Sequence, residues 1–328
     1  MEFLKKLWIR MNEPKVERVL IVVLPCLTLL VVALILVPTL RSLTRTEAAA
    51  PVPVSVTEPP LPGDDPFPDT PILTGERAPY TPEPVEDRGW QSDEDGIRYL
   101  KPNGGYADSL EQIDGKLYYF DQYGRRAAKL GIDISTYNGM VNWEAVKAAG
   151  IDFAILRAGA RGFGSGLLYD DDCFVRNLSA AKNAGLDIGV YYYTAAVDPV
   201  EAAEEAQYVL RCLNGAKLQY PVYIDIEASM DYPYGRSDVL SKSMRMAIVQ
   251  SFCRVIERAG YRAGVYSSAY FMSVNLPTDF IGQWDVWIAH YTENNRLPSF
   301  DRHYDMWQFT QYGRVWGVNG CVDMNAVM

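Results

Sequence analysis

Residues 222–227 read Val-Tyr-Ile-Asp-Ile-Glu, an apolar strand pattern that ends on two acids. Apolar side chains fall on both faces of such a strand, which is typical of a parallel strand covered on both sides. The reactive groups of parallel α/β folds lie at the carboxyl ends of the strands. The stretch therefore predicts a buried parallel strand that delivers Asp225 and Glu227 to a functional site.

Further apolar runs precede and follow this strand and alternate with helical patterns. The runs are residues 131–135, 153–158, 188–194, 263–267, 286–291 and 306–310. The helical patterns cover residues 145–149, 170–184 and 199–213, and a fourth runs from Ser237 or Asp238 to Ala259. Because each helix ends near a glycine and most are followed closely by the next strand, we predict a parallel sheet with covering helices.

The size of this α/β domain, residues 129–328, limits its architecture. A full eightfold barrel needs about 250 residues, and helical patterns become short or vanish after Ser267. We therefore predict a reduced, irregular TIM-like (β/α) barrel whose last strands lack full helices, with an open doubly wound sheet as the alternative. No glycine-rich loop follows the first strand, which argues against a nucleotide site.

Acidic residues stand at three predicted strand ends: Asp133, the pair Asp225 and Glu227, and Asp323. Residues two apart on a strand point the same way, with Cα atoms roughly 6–7 Å apart. Crowded carboxylates raise one pKa, so that a protonated acid stands beside an ionised partner. Such a pair supplies the acid and the carboxylate that most glycosidases use to cleave a glycosidic bond. A structural salt bridge or a metal site is the alternative.

Several motifs around these acids resemble the glycoside hydrolase family 25 lysozymes, over essentially all of residues 130–328. The motifs are Asp133-x-Ser135, Asn138-Gly139, Asn142-Trp143, residues 223–227, Trp287-Ile288-Ala289-x-Tyr291, Trp307-Gln308-Phe309 and residues 320–325. The resemblance implies a flattened, incomplete β/α barrel and hydrolysis of the β-1,4 bond between N-acetylmuramic acid and N-acetylglucosamine in peptidoglycan. It implies no metal and no cofactor.

The same resemblance implies a role for each acid. Glu227 matches the general acid that protonates the departing glycosidic oxygen, and Asp225 matches its partner carboxylate. Asp225 would either stabilise positive charge at the reacting sugar or orient the acetamido group of the substrate as nucleophile. Asp133 and Asp323 match flanking acids that line the site and help to set its charge. The family is generally retaining, but a covalent and a substrate-assisted route both remain open.

Aromatic residues near the strand ends fit a sugar cleft, because an aromatic ring can cover the apolar face of a sugar. The candidate substrate-binding residues are Tyr193, Tyr266, Trp287, Tyr291 and Trp307, together with Arg157 at the end of the second strand. Each aromatic could equally be ordinary core. Arg157 could bind substrate or pair with an acid.

Other chemistries find little support in the sequence. The two histidines, His290 and His303, accompany no nucleophile-elbow motif, and no Cys-x-x-Cys spacing suggests zinc. The outer cysteines, Cys173, Cys212, Cys253 and Cys321, are expected to be mostly free, buried thiols. A net charge of -10 argues against a nucleic-acid partner.

Residues 89–128 form a separate small module before the α/β domain. Two units, 19 residues apart, each place an Asp-Gly turn before an aromatic strand and a second turn, which predicts β-hairpins. Residues 89–127 resemble the cell-wall-binding (choline-binding-type) repeats of Gram-positive surface proteins. The module is either a folded spacer, the reading we favour, or a site for a cell-wall polymer.

The first 88 residues predict membrane attachment. Residues 19–40 form an apolar run without charge, long enough to span a bilayer as a signal anchor. The tail before it, residues 1–18, is the more basic flank, which places the N-terminus in the cytoplasm and the rest outside the cell membrane. Residues 41–88 are rich in proline and acid, which is typical of an extended stalk. A cleaved signal peptide is the alternative to the anchor.

Together these observations predict a membrane-anchored peptidoglycan hydrolase that acts on glycan strands outside the cell. Two alternatives remain. One is a catalytically silent wall-binding or scaffold protein that uses the same cleft. The other is a related glycosidase that cuts on the glucosaminyl side.

Overall fold

A computed structural model describes residues 88–229, 235–277, 280–293 and 296–328 of the chain. The predicted tail, anchor and stalk, residues 1–18, 19–40 and 41–88, lie outside these residues except for the last position of the stalk. Among the residues that the structure describes, no helix is long and apolar enough to cross a membrane.

The N-terminal module consists of two antiparallel hairpins, as the turn and aromatic pattern predicted. Strands β1 (Gly89–Asp93) and β2 (Gly96–Leu100) form the first hairpin, and strands β3 (Ser109–Ile113) and β4 (Lys116–Phe120) form the second. The second hairpin is attached to the main domain, because the amide of Leu117 donates to the carbonyl of Ala149 at 2.7 Å. Tyr119 also packs against Trp307 and Phe309, with ring centres 5.6 and 4.3 Å away.

The main domain is a closed sheet of eight strands with one short strand outside it. The strands are β5 (Lys129–Ile134), β6 (Phe153–Arg161), β7 (Leu168–Asp170), β8 (Asp187–Tyr193), β9 (Val222–Asp225), β10 (Ala263–Ser268), β11 (Asp285–Ala289), β12 (Met306–Gly313) and β13 (Val322–Val327). The order around the barrel is β5-β13-β12-β11-β10-β9-β8-β6, and β6 pairs again with β5. This closure excludes the open doubly wound alternative.

Helices cover only part of the barrel. They are α1 (Trp143–Ala148), α2 (Phe174–Asn183), α3 (Pro199–Leu213), α4 (Lys242–Arg258) and α5 (Ala269–Asn275), and a 3-10 helix spans Thr136–Asn138. The only α-helix after β10 among the described residues is α5, which has seven residues. The prediction that the last strands lack full helices is therefore confirmed. Helix α3 begins and ends where the sequence placed it, since Asp198 caps its first turn and Pro199 opens it.

Several boundaries differ from the prediction; strand β6, for example, extends to Arg161 rather than to residue 158. Strand β9 ends at Asp225, so Glu227 lies in the segment that follows it. Helix α2 begins at Phe174 rather than at residue 170, because residues 168–170 form the unpredicted strand β7. In the turn after β7 the side chain of Asp171 accepts the amide of Cys173. Helix α4 begins after its cap Ser241, not at residue 237 or 238.

No apolar run in the sequence marked strand β13, although Asp323 was expected at a strand end. This strand runs antiparallel to both β12 and β5 and closes the barrel, so Asp323 lies near its start instead. Its inward positions carry Asp323 and Asn325, so it lacks the continuous apolar run that marks a parallel strand. The seven strands found from apolar runs are mutually parallel wherever they pair.

Large aromatic side chains fill the lower part of the barrel interior. Phe153, Tyr223 and Trp287 belong to one buried cluster there. Two glycines make room for them: a Cβ at Gly131 would lie 2.2 Å from the ring of Phe153, and one at Gly264 would lie 2.4 Å from that of Tyr223. Because residues two apart on a strand share a face, Asp225 points into the barrel above Tyr223.

The four cysteines of the α/β domain are free, as expected. Their expected burial holds for Cys253 alone. Cys173 and Cys212 are partly buried, and Cys321 is exposed.

Candidate active site

The strand ends place the predicted acids in one cleft. Asp323 on β13 faces Asp133 on β5 as a cross-strand pair. Asp225 is level with Tyr193 on β8 and Tyr266 on β10. The cleft has a volume of about 350 Å³. It is lined by Asp133, Ser135, Tyr137, Asn138, Arg157, Tyr191, Tyr193, Asp225, Glu227, Tyr266, Trp287, Gln308 and Asp323.

Asp133 is held by two amide side chains at the bottom of the cleft. Gln308 Nε2 and Asn325 Nδ2 each donate to Asp133 Oδ2 at 2.9 Å. Burial raises the pKa of Asp133 well above its usual range, the charge of Asp323 raises it further, and the two amide hydrogen bonds oppose the rise. Burial also raises the pKa of Asp323, while its hydrogen bond with Asp133 lowers it. This cross-strand pair therefore retains a proton more readily than two exposed carboxyls.

Gln308 and Asn325 connect Asp133 to the aromatic residues around it. The hydroxyls of Tyr266 and Tyr291 donate to Gln308 Oε1 at 2.9 and 2.7 Å. The indole of Trp287 donates to Asn325 Oδ1 at 2.9 Å. Each amide thus uses its oxygen to orient aromatic side chains and its nitrogen to fix the carboxylate, which makes this end of the cleft preorganised.

Asp225 and Glu227 form the second acidic pair. Burial raises the pKa of Asp225 well above its usual range, with further contributions from the charges of Glu227 and Asp133, while Arg157 lowers it. Burial and then the charge of Asp323 raise the pKa of Glu227 to about 7. Asp225 Oδ1 is buried without a hydrogen-bond partner. An acceptor of this kind, facing a cleft, is available to a ligand.

Arg157 pairs with an acid rather than standing alone. Its Nε donates to Asp171 Oδ2 at 2.8 Å, and the same oxygen accepts the amide of Thr136 at 2.8 Å. The guanidinium lies 4.8 Å from the ring centre of Tyr137, a cation–π contact. Tyr137 is 87% exposed. Asp171 therefore fixes both Arg157 and the 3-10 helix that presents Tyr137 at the rim of the cleft.

Four of the six predicted substrate-binding residues line the cleft: Arg157, Tyr193, Tyr266 and Trp287. Tyr291 is 47% exposed and reaches the acidic centre through Gln308. The position of Trp307 does not fit the role predicted for it. It has no exposed surface, its indole donates to the carbonyl of His290 at 2.7 Å, and it packs under Tyr119 of the second hairpin. Its neighbour Gln308 faces the cleft, and alternation turns Trp307 to the outside of the barrel.

Four further residues of the site stand in the quoted motifs without an expected role: Ser135, Asn138 and Gln308, which line the cleft, and Asn325, which is buried beneath it. For Gln308 and Asn325 a signal existed, since an amide side chain inside an otherwise buried strand needs a polar partner. Tyr137 gave no such signal, because its place at the rim depends on the 3-10 turn. Among the residues that the structure describes, no group of three or more His, Cys, Asp or Glu side chains is arranged to hold a metal ion.

Comparison with known proteins identifies the family of the α/β domain. Residues 132–318 match the family model described as Glycosyl hydrolases family 25. This match spans more than half of the chain, and the chain belongs to that family.

Individual relatives show how far the likeness extends. The autolytic lysozyme of Clostridium acetobutylicum is 31% identical over 196 residues, which cover 60% of this chain and 54% of that protein. The chain thus spans about half the length of that relative. The crystal structure of the bacterial lysozyme from Streptomyces coelicolor is 26% identical, with a TM-score of 0.50 over 61% of this chain and 91% of that one. The modular autolysin LytC from Streptococcus pneumoniae has a TM-score of 0.57 over 73% of this chain and 58% of its own, at 23% identity, and shows the fold alone.

Proposed function

We propose that the chain is a peptidoglycan hydrolase that cleaves the β-1,4 bond between N-acetylmuramic acid and N-acetylglucosamine. One observation carries the proposal: Glu227 faces the cleft beside Asp225, and its pKa is raised to about 7. A general acid works best when its pKa lies near the operating pH, because it is then protonated often enough and still gives up its proton. Membership of a glycosyl hydrolase family and the lysozymes among the relatives support the same chemistry.

In the proposed reaction Glu227 protonates the departing glycosidic oxygen while positive charge develops on the sugar. Asp225 acts in its ionised form, which the nearby Arg157 favours by lowering its pKa, and its unpartnered Oδ1 is the atom that faces the developing charge. In one route this oxygen bonds to the anomeric carbon; in the other it accepts the acetamido N–H and orients the carbonyl oxygen of that group as nucleophile. Intact-mass analysis of the protein during turnover of a slow substrate separates the two routes, since only the first leaves a sugar on Asp225.

Asp133 and Asp323 support this pair rather than reacting. The charge of Asp323 raises the pKa of Glu227, and the charge of Asp133 raises that of Asp225. The acids around the cleft therefore help to keep a proton on Glu227 at neutral pH, while Gln308 and Asn325 keep Asp133 in place.

Hydrolysis of purified peptidoglycan by the full chain tests the proposal. The wild-type chain is expected to clear a peptidoglycan suspension, and Glu227→Gln to lose at least about 100-fold in rate, as expected when a general acid is removed. Glu144→Gln is the matched control, because it removes the same charge from an exposed position in the first turn of α1. If the wild-type chain binds peptidoglycan and leaves it intact, the scaffold alternative replaces the hydrolase.

We propose further that residues 19–40 anchor the chain in the cell membrane, with residues 1–18 in the cytoplasm and the hydrolase outside. The uncharged apolar run and its basic N-terminal flank support this topology. In intact cells from which the wall has been removed, protease added outside is expected to digest the α/β domain. In lysates of untreated cells, the full chain is expected to sediment with the membranes. A chain recovered in the soluble fraction would contradict the anchor.

For the hairpin module we propose a spacer role. Trp90 packs edge-on against Tyr99 and Tyr118, with ring centres 5.1 and 4.8 Å away. The guanidinium of Arg126 lies 5.6 Å from the ring of Trp90 and 5.8 Å from that of Tyr118. The chain's own cation therefore occupies the aromatic cluster in which a cationic wall polymer would bind. Equilibrium dialysis with choline is expected to show no binding to the full chain, and saturable binding would restore the wall-polymer alternative.

A further inference from the structure

A second cavity, which the proposed reaction does not use, lies on the side of the barrel. It is a groove of about 940 Å³ between the second hairpin, helix α1 and residues 314–320. Trp316 and Met140 both line it, and they are 82% and 66% exposed. Large exposed apolar side chains that share one groove are unusual on a surface and mark a binding site more often than scattered ones do.

Backbone contacts hold both walls of this groove in place. The amide of Asn142 donates to the carbonyl of Gly317 at 2.9 Å, which fixes residues 314–320 against the start of α1. A Cβ at Gly317, where φ is +102°, would lie 2.5 Å from the carbonyl oxygen of Asn142, so only glycine allows this approach. At the other end of α1, Leu117 donates to Ala149 and fixes the hairpin. The groove is therefore formed before any ligand arrives.

Two short segments of the chain connect the lining of the groove with the lining of the catalytic cleft. Tyr137 and Asn138 line the cleft, and Met140, two residues later, lines the groove. Gly320 lines the groove, and Asp323, three residues later, lines the cleft. Residues two or three apart lie at most about 7–11 Å apart, so a long polymer held in the cleft can reach the groove.

The chemistry of the lining suits an amino-sugar polymer. Among the residues that line the groove, Arg314 is the only charged one, in a chain whose net charge is -10. Gln112 and Asn319 add exposed amides. The indole of Trp316 can cover the apolar face of a sugar, the amides can pair with acetamido groups, and Arg314 can meet the carboxylates that a muramyl polymer carries.

We propose that this groove binds a second stretch of the glycan strand whose other part occupies the catalytic cleft, with Trp316 as its main platform. This inference rests on the proposed function and extends it: the enzyme acts on long strands and holds them at two places. The hairpin module contributes one wall, so it shapes the groove as well as spacing the domain from the membrane.

The test compares long and short substrates with the full chain. Trp316→Ala is expected to lower the ratio of kcat/KM for long purified glycan strands to kcat/KM for a tetrasaccharide by at least about fivefold, the usual effect of truncating an aromatic anchor. In the Glu227→Gln background, Trp316→Ala is expected to weaken equilibrium binding of long strands by a similar factor. Tyr270→Ala is the matched control. Tyr270 is 77% exposed on α5, beside β10, which lies opposite β5 in the closed sheet.

The outcomes separate the groove from the proposed function. An unchanged ratio and unchanged binding in Trp316→Ala would overturn the groove assignment. Weaker binding of strands that carry stem peptides, with no effect on strands stripped of them, would assign the groove to peptide and also overturn it. If the wild-type chain cleaves neither substrate but Trp316→Ala still weakens binding of stripped strands, the groove stands and the hydrolase proposal fails.

Discussion

Replacing the proposed general acid is expected to make the fold more stable at neutral pH while it removes the activity. Burial and the charge of Asp323 raise the pKa of Glu227 from 4.5 to about 7. A rise of this size corresponds to about 3 kcal/mol at about 1.4 kcal/mol per pKa unit. Above pH 7 the folded wild-type chain must hold an ionised Glu227 in a partly buried place, and Glu227→Gln is free of that cost.

The sign of this effect follows from proton binding. Between pH 4.5 and 7 the folded chain keeps a proton on Glu227 that the unfolded chain has lost, so wild-type stability falls as the pH rises. Glu227→Gln lacks this slope. The two proteins are therefore expected to be about equally stable near pH 4, and the variant to be more stable by about 3 kcal/mol at pH 8. For a domain of this size that difference corresponds to a rise in Tm of about 6–12 °C.

Urea unfolding followed by tryptophan fluorescence, at pH 4, 6 and 8, measures this difference directly. Glu144→Gln serves again as the control, and its stability is expected to follow the wild type at every pH because Glu144 is exposed. A Glu227→Gln variant whose stability relative to wild type does not change between pH 4 and pH 8 would refute the raised pKa, and with it the argument that Glu227 is protonated at neutral pH.

Three further perturbations test the site and the barrel. The rate of peptidoglycan hydrolysis is expected to fall as the pH rises through about 7, because Glu227 then loses the proton that it must donate; a flat pH–rate profile from 6 to 9 would contradict this. Gln308→Leu removes three hydrogen bonds, including the acceptor of the buried Tyr266 hydroxyl, and is expected to cost about 2–4 kcal/mol in urea unfolding, whereas the exposed Gln311→Leu on the same strand should cost little. Gly264→Ala forces a methyl group against the ring of Tyr223 and is expected to cost about 1–3 kcal/mol; an unchanged Tm would show that the ring can move away.

The parallel part of the fold could be predicted from the sequence because each parallel strand is buried on both faces. Such a strand carries a continuous apolar run, and residues 153–156, all buried, show the pattern at its clearest. Strand β13 escaped prediction for the opposite reason. It carries Asp323 and Asn325 inward, and the partners that make these polar groups tolerable, Asp133 and Trp287, are far away in the sequence.

The site could be predicted where chemistry and strand ends coincide, as at Asp225 and Glu227. The site could not be predicted where a residue's role depends on whether its side chain points into the barrel or out of it. Trp287 and Trp307 occur in similar motifs on neighbouring strands, yet Trp287 lines the cleft and Trp307 faces outward. The outer face of β12 is covered by Tyr119 of the hairpin module instead of a helix, so a tryptophan can be buried on that side. Nothing in the local sequence shows that cover.

We propose that the chain cuts the glycan strand on the muramyl side, with Glu227 as the acid. Mass analysis of the reducing ends released from purified peptidoglycan by the full chain tests it most directly. We expect new N-acetylmuramic acid reducing ends with the wild-type chain and none above background with Glu227→Gln. New N-acetylglucosamine reducing ends, or muramyl ends that Glu227→Gln releases at the wild-type rate, would contradict it.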